Sequence, residues 1–311
     1  MKRKCKWLAA VLPVVLLCGC GGRQGDLLLA QAIYQEQEEQ AVQLRILCLE
    51  SEPSANAEDA QPKPVLLAGE GATLEEAWQA AQQQAGGQVF LGQCRVWMLG
   101  PGQAQRLNSE DAEFWMKQDP GCGSMNLWRV ELSPQALEEP EQPEALADAV
   151  ENVQEDSPAY LAAGQELLLL PQVKLSGAAA QVEAEVLYRA GRPVLRWAGA
   201  ERALALWMQG TTQTLTFRQE DGSFAVKQPM CTIAAEDGEL VFQLEGRLEE
   251  QGKTAALSRA QAEQWLQTVA EGVLAQTQET GADWFCIQGQ LRQRTGNEKG
   301  RTRVQVRLVE N

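Results

Sequence analysis

Two apolar runs, Leu27 to Tyr34 and Ala41 to Leu49, flank a polar stretch from Gln35 to Glu39, and the second run alternates Val42, Leu44, Ile46 and Cys48 against Gln43 and Arg45. A period of two puts one set of side chains on one face, so the pair reads as a half-buried β-hairpin closed by a polar turn. Glu50 to Lys63, with Pro53, Ser54, Asn56 and Pro62, reads as a loop. Thr73 and Glu76 then form a T-x-x-E capping box ahead of Leu74, Ala77, Trp78 and Ala81 at helical spacing, and Gly86-Gly87 stops that helix. The apolar stretches Val89 to Leu91 and Cys94 to Leu99 predict a buried strand beside it.

A short helix over Glu110 to Met116, a strand near Leu127 to Leu132 and a helix over Glu144 to Val153 follow, with a Pro- and acid-rich joint at Glu138 to Pro143 that fits a hinge or a loop. Past Pro158 the pattern turns to strands: Val182 to Arg189, a turn at Gly191-Arg192, Val194 to Trp197, and Thr212 to Arg218. Asp221-Gly222 and Asp237-Gly238 are hairpin signals between apolar runs. A long helix from about Ser258 to Gln278 carries Ala262, Trp265, Leu266, Val269 and Val273 along one face, and a last strand alternates Val304, Val306 and Leu308 against Arg303, Gln305 and Arg307. These elements predict an α+β chain with antiparallel or mixed sheets packed by helices, in two to three mixed domains, and no βαβ repeat stands out. The expected division is residues 20–157 and 158–311, after an amino-terminal segment of residues 1–19 with a different purpose.

In that segment Lys2, Arg3, Lys4 and Lys6 precede an uncharged apolar run from Trp7 to Leu17. The run falls short of the roughly 20 residues that span a bilayer core, so it reads as a secretory signal. It ends in Leu17-Cys18-Gly19-Cys20, where small residues before a cysteine admit a signal peptidase and the thiolate is the atom a diacylglycerol donor would alkylate. Cys20 is therefore the expected lipidation site, and lipid the expected means of membrane attachment, since two or more acyl chains on one residue hold stably.

Loss of residues 1–19 removes four of the 27 basic residues and leaves 23 against 42 acidic, a formal charge of −19. Such a surface repels phosphates, which argues against nucleic-acid binding. Cys48, Cys94, Cys122, Cys231 and Cys286 remain beside Cys20, widely spaced, with no C-x-x-C pair; Cys48 and Cys94 lie in apolar runs and read as small buried hydrophobes, and the spacing leaves the disulfide state of all five open. The chain has no histidine, which excludes His-dependent triads, and no metal-ligand spacing, P-loop or G-x-S-x-G elbow is present, so no metal and no cofactor is expected. Glu36, Glu38 and Glu39, like Glu138, Glu139 and Glu141, read as solvated surface rather than catalytic pairs, and no enzyme activity is expected.

The segment GEGATLEEAWQAAQQQAGGQVFLGQCRVWMLG, Gly69 to Gly100, resembles the spore-germination Ger(x)C family, with Val89, Phe90, Leu91, Val96 and Gly100 at comparable places. Glu113-Phe114-Trp115, Leu170-Pro171, the run from Val186 to Gly210, and GADWFCIQG from Gly281 to Gly289 resemble further family landmarks in the same order, Asp283 among them. Lys117-Gln118-Asp119 stands where the family has an arginine-bearing motif, and Gly21-Gly22-Arg23-Gln24 replaces a Trp-Asp pair after the lipidated cysteine. The resemblance implies a fold of several α+β domains and a lipid-anchored, non-catalytic subunit of a nutrient germinant receptor. It further implies partnership with membrane-embedded A and B subunits, on the outer face of the spore inner membrane. A ligand-binding cell-envelope lipoprotein unrelated to germination is the alternative.

The resemblance brings no catalytic residue with it, so Cys20 is the one expected site. Trp97, Trp197, Trp207 and Trp284 could anchor an interface, but inside apolar runs they read first as core. The lipid reading has a direct consequence. Cys20→Ala is expected to move the protein from the membrane to the soluble fraction on cell fractionation; a variant that stays membrane-bound after a salt wash would contradict it.

Overall fold

The computed structural model describes residues 27–50, 63–139, 141–151, 166–176, 179–211, 213–219, 222–251, 258–295 and 300–309. The proposed signal, Cys20, most of the expected loop after Glu50, and Asp221 lie outside these residues.

The chain is α+β, built on two sheets. The first strand β1 (Leu27–Glu38) and β2 (Ala41–Glu50) form the expected hairpin, yet the turn is only Glu39-Gln40, with Glu39 at φ 45°. Gln35 and Glu36, expected in the turn, are buried within β1, because partners from elsewhere in the chain meet their side chains. β3 (Lys63–Gly71) pairs with β2, and the first helix α1 (Leu74–Gln84) follows behind the Thr73 cap, whose hydroxyl accepts from the Glu76 amide. The expected reciprocal bond to the Thr73 amide is not the one formed: Glu76 Oε2 accepts instead from the amide of Ala72, one residue before the cap, at 2.8 Å.

The expected single strand around residue 94 is two, β4 (Gln88–Phe90) and β5 (Val96–Leu99), and both run parallel to β1. All four residues of β5 are buried, which fits a strand covered on both faces and explains why its sequence shows no alternation. α2 (Ser109–Gln118) returns the chain to β6 (Asn126–Val130), parallel to β5. α3 (Pro134–Leu137) and α4 (Gln142–Glu151) precede β7 (Leu167–Ser176), parallel to β6. Crossovers between parallel strands are thus present where the sequence suggested none; strands of four and five residues joined by short, broken helices leave no regular period to read.

β8 (Ala179–Arg189) and β9 (Arg192–Ala198) complete the sheet in the order β3-β2-β1-β5-β6-β7-β8-β9, with β4 on β1. The Ala190-Gly191 turn between them has both φ values positive, as a two-residue hairpin turn matched to strand twist requires. Three strands that follow residue 158 therefore hydrogen-bond into the sheet that β1 begins, and the sheet runs across the division expected there.

α5 (Gly199–Met208) leads to the second sheet, β10 (Leu215–Gln219), β11 (Gly222–Glu236), β12 (Glu239–Gln251) and β13 (Thr302–Val309), in that order. The expected hairpin turn is Asp237-Gly238, at φ 49° and 80°. Between β12 and its parallel neighbour β13 come α6 (Arg259–Glu279), capped by Ser258 and Gln261, and α7 (Ile287–Thr295).

Three cores result. On one face of the first sheet Ile33, Leu44, Ile46, Trp97 and Leu99 pack under Trp78 of α1 and Trp115 of α2. On the other, Tyr34, Leu47, Met98 and Trp128 meet Leu137, Leu146 and Val150 of α3 and α4. The third core lies between the second sheet and α5, α6 and α7, and it includes Leu187 of β8 and Trp197 of β9. β8 gives Val186 and Tyr188 to the first core and Leu187 to the third, so its alternation ties the two halves together. Cys48, Cys94 and Cys122 are buried in the first core, Cys231 is half-buried and Cys286 exposed, all as free thiols. Cys48 and Cys94 are thus buried as their apolar runs implied, and Cys122 joins them; burial pushes the Cys48 and Cys122 thiols up to about 12 and the Cys94 thiol well above its ordinary value.

Trp78 is 4% exposed and meets Trp115 edge-on, ring centres 5.7 Å apart. Trp78→Ala is expected to destabilise the chain by about 3 to 5 kcal/mol, the usual cost of truncating a buried aromatic. Chemical denaturation would measure it, and a loss below 1 kcal/mol would contradict the packing described.

Candidate functional site

A buried polar cluster lies at the carboxyl ends of the parallel strands β1 and β5. Gly100, Pro101 and Gly102 leave β5 and fold over the end of β1, where the Gly100 amide donates to the Gln35 carbonyl at 2.9 Å. Both glycines are needed for closeness rather than for φ: a Cβ on Gly100 would strike Tyr34 and Glu36, and one on Gly102 would strike the Gln37 carbonyl. The loop thereby brings its own amide to the Glu36 carboxylate.

Glu36 is 4% exposed, not the solvated residue that its neighbourhood in the sequence implied. Its Oε1 accepts from the Gln37 amide at 2.7 Å and the Gln103 amide at 2.8 Å. Tyr34 donates its hydroxyl to the Leu132 carbonyl at 2.7 Å, beyond β6, with Glu36 Oε2 at 3.4 Å. Burial first, and then the Glu36 charge, pushes the Tyr34 phenol well above its ordinary value, so it stays a donor at any physiological pH.

Beside this carboxylate is a second. Asp111 on α2 accepts at Oδ2 from the side-chain amides of Gln35 and Gln103, both at 2.8 Å. Trp115, one turn later on α2, donates to Gln35 Oε1 at 3.4 Å. Burial raises the Asp111 pKa above its ordinary 3.8, while the two amide donors pull it back. Glu36 and Asp111 thus accept from donors of the chain itself, and the cluster fastens β1, the loop after β5 and α2 to one another. As chemistry this is a clamp: carboxylates used as hydrogen-bond acceptors.

Concavities lie elsewhere. One of about 880 Å³ opens at the tip of the β1–β2 hairpin, lined by Glu38, Glu39, Gln43 and Glu70 among others. A groove of about 730 Å³ opens beside the amino-terminal end of β1, between the strands and α4, with Leu29, Leu49, Pro64 and Ala147 as apolar lining and Lys63 and Arg95 among its charges. A smaller cleft of about 270 Å³ lies between α6, α7 and β13. Asp283 borders it and caps α7, accepting from the Ile287 and Gln288 amides, so this residue of the family-like segment serves the fold locally. Among the described residues no three or more His, Cys, Asp or Glu are grouped to hold a metal, and no helix is long and apolar enough to cross a membrane.

The tryptophans considered as interface anchors do not share a surface. Trp97 is buried in the first core, Trp197 and Trp207 are buried in the third, and Trp284 packs half-buried against the third. Trp197 and Trp207 also donate inward, to Gln276 Oε1 and the Met230 carbonyl.

Among solved structures, the chain is similar to one described as the crystal structure of the GerBC protein. The two are 12% identical, the match covers 89% of this chain and 96% of that one, and the TM-score is 0.45. That likeness is too distant to carry either a fold or a function across. No protein-family model matches the chain, and the comparison with curated proteins found no match.

The sequence pointed to none of the clamp residues. The available signal was the unbroken run of strand-forming residues up to Tyr34 followed by a G-P-G loop, but only the fold joins positions 35, 103 and 111. Asp111→Ala is expected to cost about 1 to 3 kcal/mol for each buried amide donor left without an acceptor. Asp111→Asn retains an acceptor and removes the charge. Because the folded pKa is raised, the Asp111 contribution is fully present below pH 3.8 and is lost as pH rises through the folded value. Denaturation of parent and Asn variant across pH should therefore show their difference shifting in the variant's favour as pH rises; a pH-independent difference would contradict the burial.

Proposed function

We propose that the chain is a lipid-anchored, non-catalytic subunit of a nutrient germinant receptor, held at the outer face of the spore inner membrane and acting with membrane-embedded A and B subunits. The observation that carries this reading is the order of the Ger(x)C-like segments behind Leu17-Cys18-Gly19-Cys20. Those segments coincide with the framework of the fold. Gly69 to Gly100 spans the end of β3, α1, β4 and β5, which build the first core, and Val186 to Gly210 spans β8, β9 and α5, which join it to the third.

The character of the polar cluster supports a non-catalytic role. Glu36 and Asp111 accept hydrogen bonds from the chain's own amides, so their part is to hold a loop and a helix in place. A strongly acidic body attached by lipid contributes by completing an assembly, and its loss should silence that assembly alone.

A strain lacking the gene is expected to form normal spores that fail to germinate with one nutrient class yet respond to a trigger that bypasses receptors. Affinity capture of the full chain from spore membranes should recover A- and B-like membrane proteins. Deletion spores that germinate with every nutrient, together with capture that recovers no membrane subunit, would turn the reading to a ligand-binding envelope lipoprotein. Hydrolysis of cortex glycan by the purified protein would turn it to an enzyme.

A further inference from the structure

Four large apolar residues are exposed among those described, Leu27, Phe90, Met230 and Val309, and two of them are neighbours. Leu27 pairs with Gln88 and Leu29 with Phe90 in the parallel register of β1 and β4. Leu28 and Val89, the alternate residues, enter the first core, so Leu27, Leu29 and Phe90 project to the opposite face. There Leu29 borders the groove against α4. The Phe90 ring crosses Gly92, where a Cβ would come within 2.6 Å of its outermost carbon. That glycine leaves room for a ring that is nonetheless 38% exposed, beside Leu27 at 37%.

This end of the sheet is also where the chain arrives from Cys20. Seven residue steps separate Cys20 from Leu27, and a fully extended chain covers at most roughly 25 Å in that length. A lipid on Cys20 therefore keeps Leu27 within that distance of the bilayer, whatever path the connection takes, with Phe90 on the adjacent strand beside it. The groove that Leu29 borders carries Lys63 and Arg95 against Glu144, Asp148 and Glu151, and Asp119 lies at Gly92 beside the Phe90 ring. They carry no net positive charge, so an attraction to anionic headgroups is not what would bring this end to a membrane. Exposed leucine and phenylalanine side chains at the level of the headgroups gain from leaving water without it.

We infer that the Leu27–Phe90 end of the first sheet is the membrane-facing end of the protein, with the Phe90 ring and the Leu27 side chain seated in the interfacial layer of the bilayer. The inference rests on the lipid-anchored reading and adds to it an orientation, in which the first sheet meets the bilayer and the second sheet, with exposed Met230, does not. The contact is apolar and independent of lipid charge.

The test uses the full lipidated chain reconstituted into phosphatidylcholine vesicles. Cys286→Ser removes the exposed thiol, and Phe90→Cys or Met230→Cys then places an environment-sensitive dye at one position or the other; the Cys286→Ser chain alone gives the background. Phospholipids spin-labelled near the headgroup are expected to quench the dye at position 90 several-fold more than at position 230, in neutral vesicles and in high salt alike. A chain that floats with the vesicles but is quenched equally at both positions, or more at 230, would overturn the orientation while leaving the anchor intact. Quenching at 90 that appears only with anionic lipid and vanishes in salt would overturn the apolar contact. A chain that does not float with the vesicles would remove the anchored reading itself.

Discussion

A carboxylate taken into a protein interior must be given donors there, and Glu36 is such a carboxylate at the end of the central strand. Much of the first half of the molecule is arranged around that requirement. The loop after β5 turns back through Gly100 and Gly102 because only residues without a Cβ approach closely enough to present the Gln103 amide to Glu36. The same turn places the Gln103 side chain beside Asp111, which also holds Gln35, so α2 is registered against β1 by two side-chain amides that share one acceptor. Tyr34 extends the arrangement to the other face, reaching the chain beyond β6.

A second constraint decides how the halves are joined. Strands near the middle of the first sheet are covered on both faces by helices, and β8 near its edge is covered by one core on each side. Since alternate residues of a strand point to opposite faces, Val186 and Tyr188 cannot leave the first core without Leu187 leaving the third. Tyr188 adds a bond from its hydroxyl to the Ala104 carbonyl, 2.8 Å away in the loop that follows β5. Gly191 in the next turn accepts from the Leu107 amide. The loop that satisfies Glu36 is thus also the loop against which β8 and β9 are seated.

In the proposed reading the body holds position in an assembly rather than turning over a substrate. The polar interior joins segments, and two of the four large apolar side chains left exposed among the described residues, Leu27 and Phe90, lie at the end of the first sheet nearest the proposed lipid.

The sequence by itself determined the elements whose signals are local. The Thr73 cap, the Asp237-Gly238 turn, the amphipathic face of α6 and the α+β class all follow from spacing and turn chemistry within a few residues. The strand β5 and the parallel direction of β5, β6 and β7 were decided by tertiary structure, because a strand buried on both faces loses the alternation that marks it, and strand direction depends on what lies beside it. Gln35 and Glu36 show the same limit from the polar side: in a short window they read as a turn, and only Gln103 and Asp111, 67 and 76 residues further on, supply the donors and the acceptor that let them stay in a strand. Burial of a polar group is a property of its distant partners, so no local pattern can announce it.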